Sequence, residues 1–171
     1  MKKQVTVNDK MQKGYAYFLT EPVGENFHKD FRPDLTPEQM LELGVFGGVY
    51  MRDCVSEFPK SWTANAKFQI GGVYKQDKDI NYFKVKASQS LAIWRENGWT
   101  REQDPRGWFQ WYCRYYYGRR SEDDERQVRR WVNMRRHILW LQNGCGVAGM
   151  ITCRPRQRQA LLHWAYDSRR L

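Results

Sequence analysis

Arginine is the residue type in this sequence with the clearest chemical potential, and it is concentrated in the second half of the chain. Residues 1–93 carry 13 basic and 11 acidic residues, a net charge of +2, whereas residues 94–171 carry 16 basic and 8 acidic residues, a net charge of +8. No lysine follows Lys86. A guanidinium group can hold a phosphate or a base edge through paired hydrogen bonds and can stack on a ring. We therefore expect the C-terminal half to hold a polyanion, most readily nucleic acid.

Aromatic residues are interleaved with these arginines. A helical wheel over residues 105–117 places most of the rings on one face and Arg106, Gln110, Arg114 and Tyr117 on the other. Most of these rings are expected in the core, because aromatic side chains dominate core burial. One or more of Trp108, Trp111 and Tyr117 is expected to stack on bases.

The predicted nucleic-acid-binding residues come from three helical segments. A strong anion site is expected where the last helix begins, because its first turn presents free N–H groups beside arginine and glutamine side chains. Arg119 and Arg120 have an alternative role as caps of the preceding helix. The complete predicted set is Arg114, Arg119, Arg120, Arg126, Arg130, Arg135, Arg154, Arg156, Arg158, Gln159, Trp108, Trp111 and Tyr117.

Arg135 breaks the amphipathic pattern of its helix. The wheel places it at the centre of an apolar face, where an unpaired guanidinium would be costly to bury. We expect it to pair with an aspartate such as Asp104 or Asp124, or to line a cleft that binds phosphate.

Signals for catalysis are weak. Asp53, Asp104, Asp124 and His163 could act as acids or bases, but nothing in the sequence fixes their distances. The established hydrolase, metalloprotease and nucleotide-binding motifs are absent from the sequence. Two alternatives to simple nucleic-acid binding stay open: a small enzyme acting on a nucleotide or on a base in DNA or RNA, and a module that binds an acidic protein.

The four cysteines, Cys54, Cys113, Cys145 and Cys153, are widely spaced. We expect them to be buried thiols in a reducing compartment. A zinc site of Cys145, Cys153 and His163 can be written down, but its spacing matches no usual ligand pattern. We predict no metal and no cofactor.

Helix boundary signals punctuate the chain. Thr36-Pro37-Glu38-Gln39 predicts a capped helix start that runs to Gly44, and Ser88 or Ser90 predicts another that ends at Asn97-Gly98. Further helices are expected at 104–117, from Ser121 to Asn143-Gly144 as one long helix, and at 155–166. Residues 15–19 are expected to form a short strand or a packing arm.

These elements predict a mainly α fold: a compact single-domain helical bundle with a minor short-strand element around residues 67–86. Residues 1–31 would form an N-terminal arm or packing segment, and residues 32–171 a single helical domain. A mean hydropathy of -0.85 and the lack of a long apolar run predict no membrane span. The N-terminal residues show no secretory signal, so a cytoplasmic location is expected.

Three runs are distinctive: MLELGVFGG at 40–48, DPRGWFQWYCRYY at 104–116 and CRPRQRQALLHWAY at 153–166. With them the chain resembles a group of short, uncharacterised microbial proteins that have no assigned activity. The resemblance covers most of residues 32–171 and implies a single domain that can stand alone. It implies no catalytic residues.

Overall fold

The computed structural model describes residues 2–69, 75–146 and 149–171. An N-terminal hairpin precedes a series of helices. The strands and α-helices are β1 (Lys3–Asn8), β2 (Lys13–Leu19), α1 (Pro37–Glu42), α2 (Leu91–Glu96), α3 (Trp108–Tyr117), α4 (Asp124–Asn133), α5 (Arg135–Cys145) and α6 (Pro155–Leu162). Single 3₁₀ turns occupy 45–48, 55–57, 60–63 and 168–170.

The hairpin is antiparallel, with Lys3 opposite Leu19 and Val5 opposite Tyr17. Its side chains alternate, so that Val7 and Tyr17 are buried while their neighbours along each strand face outward. At the turn, the Asp9 carboxylate accepts the backbone N–H groups of Met11 and Gln12. Residues 15–19, which the sequence left open between strand and arm, form β2.

Local signals placed several helix ends correctly. Thr36 and Gln39 form the predicted capping box at the start of α1, and Ser90 caps α2. Gly44 and Gly118 follow α1 and α3 with positive φ angles, a backbone conformation that glycine adopts without strain. The helix expected at 104–117 begins only at Trp108, and the last helix ends at Leu162 rather than near Tyr166.

The single long helix predicted from Ser121 to Asn143-Gly144 is wrong, because it is interrupted at Met134. Helix α4 ends at Asn133, and α5 begins at Arg135. The N–H of Met134 bonds to the carbonyl of Trp131, and the N–H of His137 bonds to the carbonyl of Met134. Both are bonds to the third preceding residue, which tighten the backbone at Met134.

The core is aromatic and centred on Phe31. This ring makes edge contacts with rings of α3 and α4, the closest being Trp131 at 4.9 Å between centroids. Helix α3 is buried on every side from Trp108 to Tyr115. The face of α3 that was expected to be polar is covered by the hairpin, where Tyr17 and Gln12 contact Arg114.

The predicted fold class is wrong: the chain forms a small mixed α/β domain rather than a helical bundle. The strand element lies at 3–19, and residues 67–69 and 75–86 form no strand. Gln69 and Asp77 instead donate their backbone N–H groups to the carbonyls of Gly48 and Gly47. Both residues therefore pack against the 3₁₀ turn at 45–48. Residues 70–74 of the predicted strand element lie outside the described residues.

Within the described ranges, the helices are too short and too polar to cross a membrane.

Candidate functional site

A cleft of about 430 Å³ lies among α2, α3, α6 and the junction of α4 with α5. Its lining includes four tryptophans, Trp94, Trp99, Trp108 and Trp164, and we call it the tryptophan cleft. Its volume falls in the range of about 300–1,000 Å³ that is common for ligand pockets. The cleft is therefore large enough for a ring-bearing ligand.

The rings form an inner wall and an outer rim. Trp108 is buried, and its ring centroid lies 4.7 Å from that of the half-buried Trp164. Trp99 stands at the rim with 41% of its surface exposed. A rigid inner wall and an exposed ring together suit the stacking of a planar group.

Arg130 brings a positive charge to the cleft. Its guanidinium carbon lies 5.3 Å from the centroid of the Trp164 ring, and it donates hydrogen bonds to Gln127 Oε1 and to the Trp99 carbonyl oxygen. Burial, together with the nearby Arg126, lowers the pKa of Arg130 to about 10. The group still carries its charge at neutral pH. None of the described carboxylates forms a salt bridge with it.

A second arginine, Arg136, also lines the cleft. It lies in the first turn of α5 beside His137, which lines the cleft as well. Arg136 is exposed and has no salt bridge to a described residue. Burial and the Arg136 charge lower the pKa of His137, so its ring is mainly neutral at pH 7.

His163 lies at the floor of the cleft and is held in its neutral form. Its Nε2 accepts the backbone N–H of Phe46 at 3.3 Å and faces Gln159 Nε2 at 3.0 Å. Gln159 Oε1 accepts the N–H of Phe83, so the amide nitrogen is the side that donates to His163. Burial lowers the pKa of His163 to about 3. A ring nitrogen with two donors already on it has no free lone pair to act as a base.

The described lining of the cleft contains no aspartate or glutamate. Ser88, Gln89 and Asn133 add groups that can hydrogen-bond to a base edge. The cleft thus combines rings, unpaired positive charge and neutral polar groups, which suits an anionic ligand with a planar ring.

Comparisons with known proteins give no information on what the tryptophan cleft binds. The chain matches no family model, no curated protein and no solved structure. Evidence on function therefore comes from the geometry of the chain itself.

Of the predicted binding residues, Arg114 and Arg119 are buried in ion pairs. Arg114 binds Glu57 through two hydrogen bonds, from Nε at 2.6 Å and from Nη2 at 2.9 Å. Asp104 accepts from both arginines, at 3.1 Å from Arg114 and 2.6 Å from Arg119. Neither guanidinium reaches solvent, so neither is available to a phosphate. The hairpin covers this face of α3 and so separates both arginines from solvent.

Arg158 and Gln159 are also internal. Arg158 is fully buried and donates to the backbone carbonyls of Cys153, Ser168 and Leu171, so it secures the C-terminus. Gln159 supports His163 as described above. Arg154 and Arg156 are exposed at the start of α6 but do not line the tryptophan cleft.

Two further predicted arginines, Arg120 and Arg126, are partly buried and lie outside the tryptophan cleft. Arg120 packs 4.0 Å from the Tyr115 ring centroid and donates to the carbonyls of Tyr115 and Arg119, an arrangement that matches the capping alternative. Arg126 binds the carboxylate of Asp123.

Contrary to the prediction from the wheel, Arg135 is not buried on an apolar face. It is exposed and lies over the Trp131 ring at 5.4 Å, and neither Asp104 nor Asp124 forms a salt bridge with it.

Of the predicted stacking rings, only Trp108 lines the cleft. Trp111 is fully buried and donates its indole N–H to Asp124 at 2.8 Å. Tyr117 is half-buried and packs against Trp62. Trp99, Arg136 and His137 were not predicted as binding residues, because they meet only through the packing of elements that are distant in sequence, which leaves no local signal.

The candidate acids are engaged in structural contacts. Asp53 pairs with Arg106 at 3.1 Å, Asp104 joins the buried ion pairs, and Asp124 accepts from Ser121 and Trp111. None of these three carboxylates lines the tryptophan cleft. The geometry therefore brings His163 to the cleft and leaves the aspartates outside it.

The prediction of four thiols is wrong for one pair, since Cys145 and Cys153 form a disulfide. It joins the end of α5 to the residues just before α6. Cys54 and Cys113 are buried free thiols, as expected. The zinc site that would use Cys145, Cys153 and His163 is excluded by this bond, and no cluster of metal-ligating side chains occurs among the described residues. The connector at 144–149 is described except for Val147 and Ala148.

Proposed function

We propose that this protein binds single-stranded nucleic acid, with a base stacked in the tryptophan cleft and the neighbouring phosphates on Arg130 and Arg136. The observation that carries the proposal is a cleft lined by four tryptophans in which two arginines lack a salt bridge to any described carboxylate. Unpaired guanidinium groups beside a carboxylate-free wall favour an anion.

A single strand fits this arrangement better than a duplex. Its bases are free to enter a concave site and stack on aromatic side chains, whereas a duplex keeps its bases paired and stacked internally. Ser88, Gln89 and Asn133 offer donors and acceptors for the edge of an inserted base. The remaining surface charge, including Arg154 and Arg156, would add attraction that is independent of sequence.

The test is a titration of the intrinsic tryptophan fluorescence with a single-stranded oligothymidylate or oligouridylate of about 8 nucleotides, at rising salt. We expect quenching that saturates, and an affinity that falls as salt rises because bound counterions are released. Each phosphate contact contributes about 0.7 to the slope of log K against log salt for single strands. R136Q should therefore reduce that slope by about 0.7, and R130Q should do the same.

The matched control is R129Q. Arg129 lies on the same helix as Arg130, points to solvent and pairs at 3.8 Å with the exposed Glu125. It makes the same change in net charge without touching the cleft. Absence of saturable binding, or equal loss of affinity in R129Q and R136Q, would contradict a site in the tryptophan cleft.

A further inference from the structure

A second cavity adjoins the tryptophan cleft. It measures about 830 Å³, and its basic lining residues are Lys75, Lys78, Lys86 and Arg106, so we call it the lysine cavity. Trp94 and Gln89 line both cavities, which makes them a shared wall. A strand leaving the tryptophan cleft past Trp94 would enter the lysine cavity directly.

The described lining of the lysine cavity has four basic and two acidic residues, an excess of positive charge. Lys75 and Lys86 are exposed and form no salt bridge with any residue in the described ranges. Of its two carboxylates, Asp79 pairs with Lys78 at 3.1 Å, whereas Asp77 accepts the backbone N–H of Asp79 and keeps its negative charge. Lys75 and Lys86 remain without a carboxylate partner among the described residues and can meet an incoming anion.

The inner lining carries buried polar atoms without partners. The side chain of Arg106 is 7% exposed, and its Nε has no hydrogen-bond partner among the described residues, although its terminal nitrogens face Asp9 and Asp53. Gln69 Oε1 and the Tyr50 hydroxyl, also in this lining, likewise make no hydrogen bond of normal geometry within the described ranges. Buried polar groups usually have partners, so this lining is suited to a polar ligand.

We propose that the lysine cavity is a second subsite for the same strand, which holds the next nucleotide and places its phosphates on Lys75 and Lys86. This inference rests on the proposed function and extends it. It predicts that the protein binds at least two consecutive nucleotides, one on each side of Trp94. A mononucleotide would occupy the tryptophan cleft alone.

The experiment compares two double variants against thymidine monophosphate and against oligothymidylate of about 8 nucleotides. K75Q/K86Q removes the two available lysines of the cavity. K29Q/K60Q removes two exposed lysines that line neither cavity and is the matched control. All four positions are exposed, so both variants should fold, which circular dichroism would verify.

We expect K75Q/K86Q to bind the oligonucleotide about tenfold more weakly at 0.1 M salt and with a slope reduced by about 1.4, while its mononucleotide affinity stays unchanged. K29Q/K60Q should retain both slope and affinity. If the two double variants behave alike while R136Q still weakens binding, the second subsite is refuted and the proposed function stands. If the unmodified protein binds no oligonucleotide, both proposals fail together.

Discussion

Arginines in this protein have two roles. Fully buried arginines form ion pairs in the core, and arginines that line the tryptophan cleft are proposed to bind a ligand. Arg114 and Arg119 share the fully buried Asp104, and Arg114 also binds Glu57. Arg130 and Arg136 have no carboxylate partner in the part of the chain that the structure describes, and both line the tryptophan cleft. The same residue type therefore holds the core together in one place and presents charge to a ligand in another.

The buried arginines predict a large loss of stability when their shared partner is removed. D104N keeps the shape of the side chain but leaves two buried guanidinium groups with too little negative charge. We expect the free energy of unfolding to fall by about 3–5 kcal/mol, measured by urea denaturation. E122Q, at an exposed acid with no ion pair among the described residues, should change it by less than about 0.5 kcal/mol. Similar values for both variants would contradict the role assigned to Asp104.

His163 predicts a dependence of stability on pH. Burial lowers its pKa to about 3, from 6.5 in the unfolded chain. Between these values the unfolded state binds more protons than the folded state, so stability rises with pH and is lost as pH falls below 6.5. From pH 7 to pH 5 the loss should be about 2 kcal/mol, above the range in which carboxylates titrate.

The measurement is urea denaturation at several pH values for the protein and for H163Q. The variant removes the titrating ring, so its stability should change less over this range. H137Q serves as the comparison, because His137 is only partly buried and its pKa is also lowered by burial and by Arg136. A pH dependence that H163Q leaves intact would show that His163 is not buried in its neutral form.

At the scale of elements, Gly118 joins the hairpin to α3. Its carbonyl accepts the N–H groups of Thr20 and Glu21, and Leu19 pairs with Arg119 beside it. Its φ of 115° is strained for any other residue, and an added Cβ would lie 2.1 Å from the carbonyl oxygen of Glu21. The hairpin is therefore attached at a position that only glycine can fill.

We expect G118A to lower the free energy of unfolding more than G98A does. Gly98 also has a positive φ, but an added Cβ there meets nothing within 4 Å. G98A should lose about 1–2 kcal/mol from backbone strain alone. G118A should lose about 1–3 kcal/mol more from the clash with backbone. Thermal or urea denaturation of both variants measures the difference, and equal losses would show that the hairpin can move away without penalty.

Helix ends were easier to predict than helix paths. The caps at Thr36 and Ser90 and the glycines that follow α1 and α3 act within a few residues, so the local sequence specifies them. The interruption of the helix at Met134 has no glycine or proline beside it, so the local sequence gives no signal for it. It follows from packing, because Val128 and Trp131 of α4 enter the core while α5 packs against α6.

At the scale of the whole molecule, the Cys145–Cys153 bond ties α5 to α6 across a separation of 8 residues. Closing a loop of this length should contribute about 2–3 kcal/mol by restricting the unfolded chain. Reduction should lower the free energy of unfolding of the protein by that amount. The free energy of unfolding of C145S/C153S, which lacks the bond, should not respond to reductant. The denatured protein should show two reactive thiols without reductant and four with it.

A stability that does not respond to reductant, or four reactive thiols without it, would contradict the disulfide. Such bonds are rare in cytosolic proteins, so the same thiol count on protein taken directly from cells also tests the predicted cytoplasmic location.

The charge asymmetry, the aromatic content and most helix ends follow from the sequence alone, because composition and capping act locally. The tertiary structure decided which arginines are buried. Arg114 meets Glu57, 57 residues away, and Gln12, 102 residues away, and no local pattern links these positions. It also decided that Trp99, Arg130 and Arg136 share one cleft, because that depends on how α4, α5 and α6 pack around the core. Long-range packing, rather than local propensity, separates the structural arginines from those left to bind a ligand.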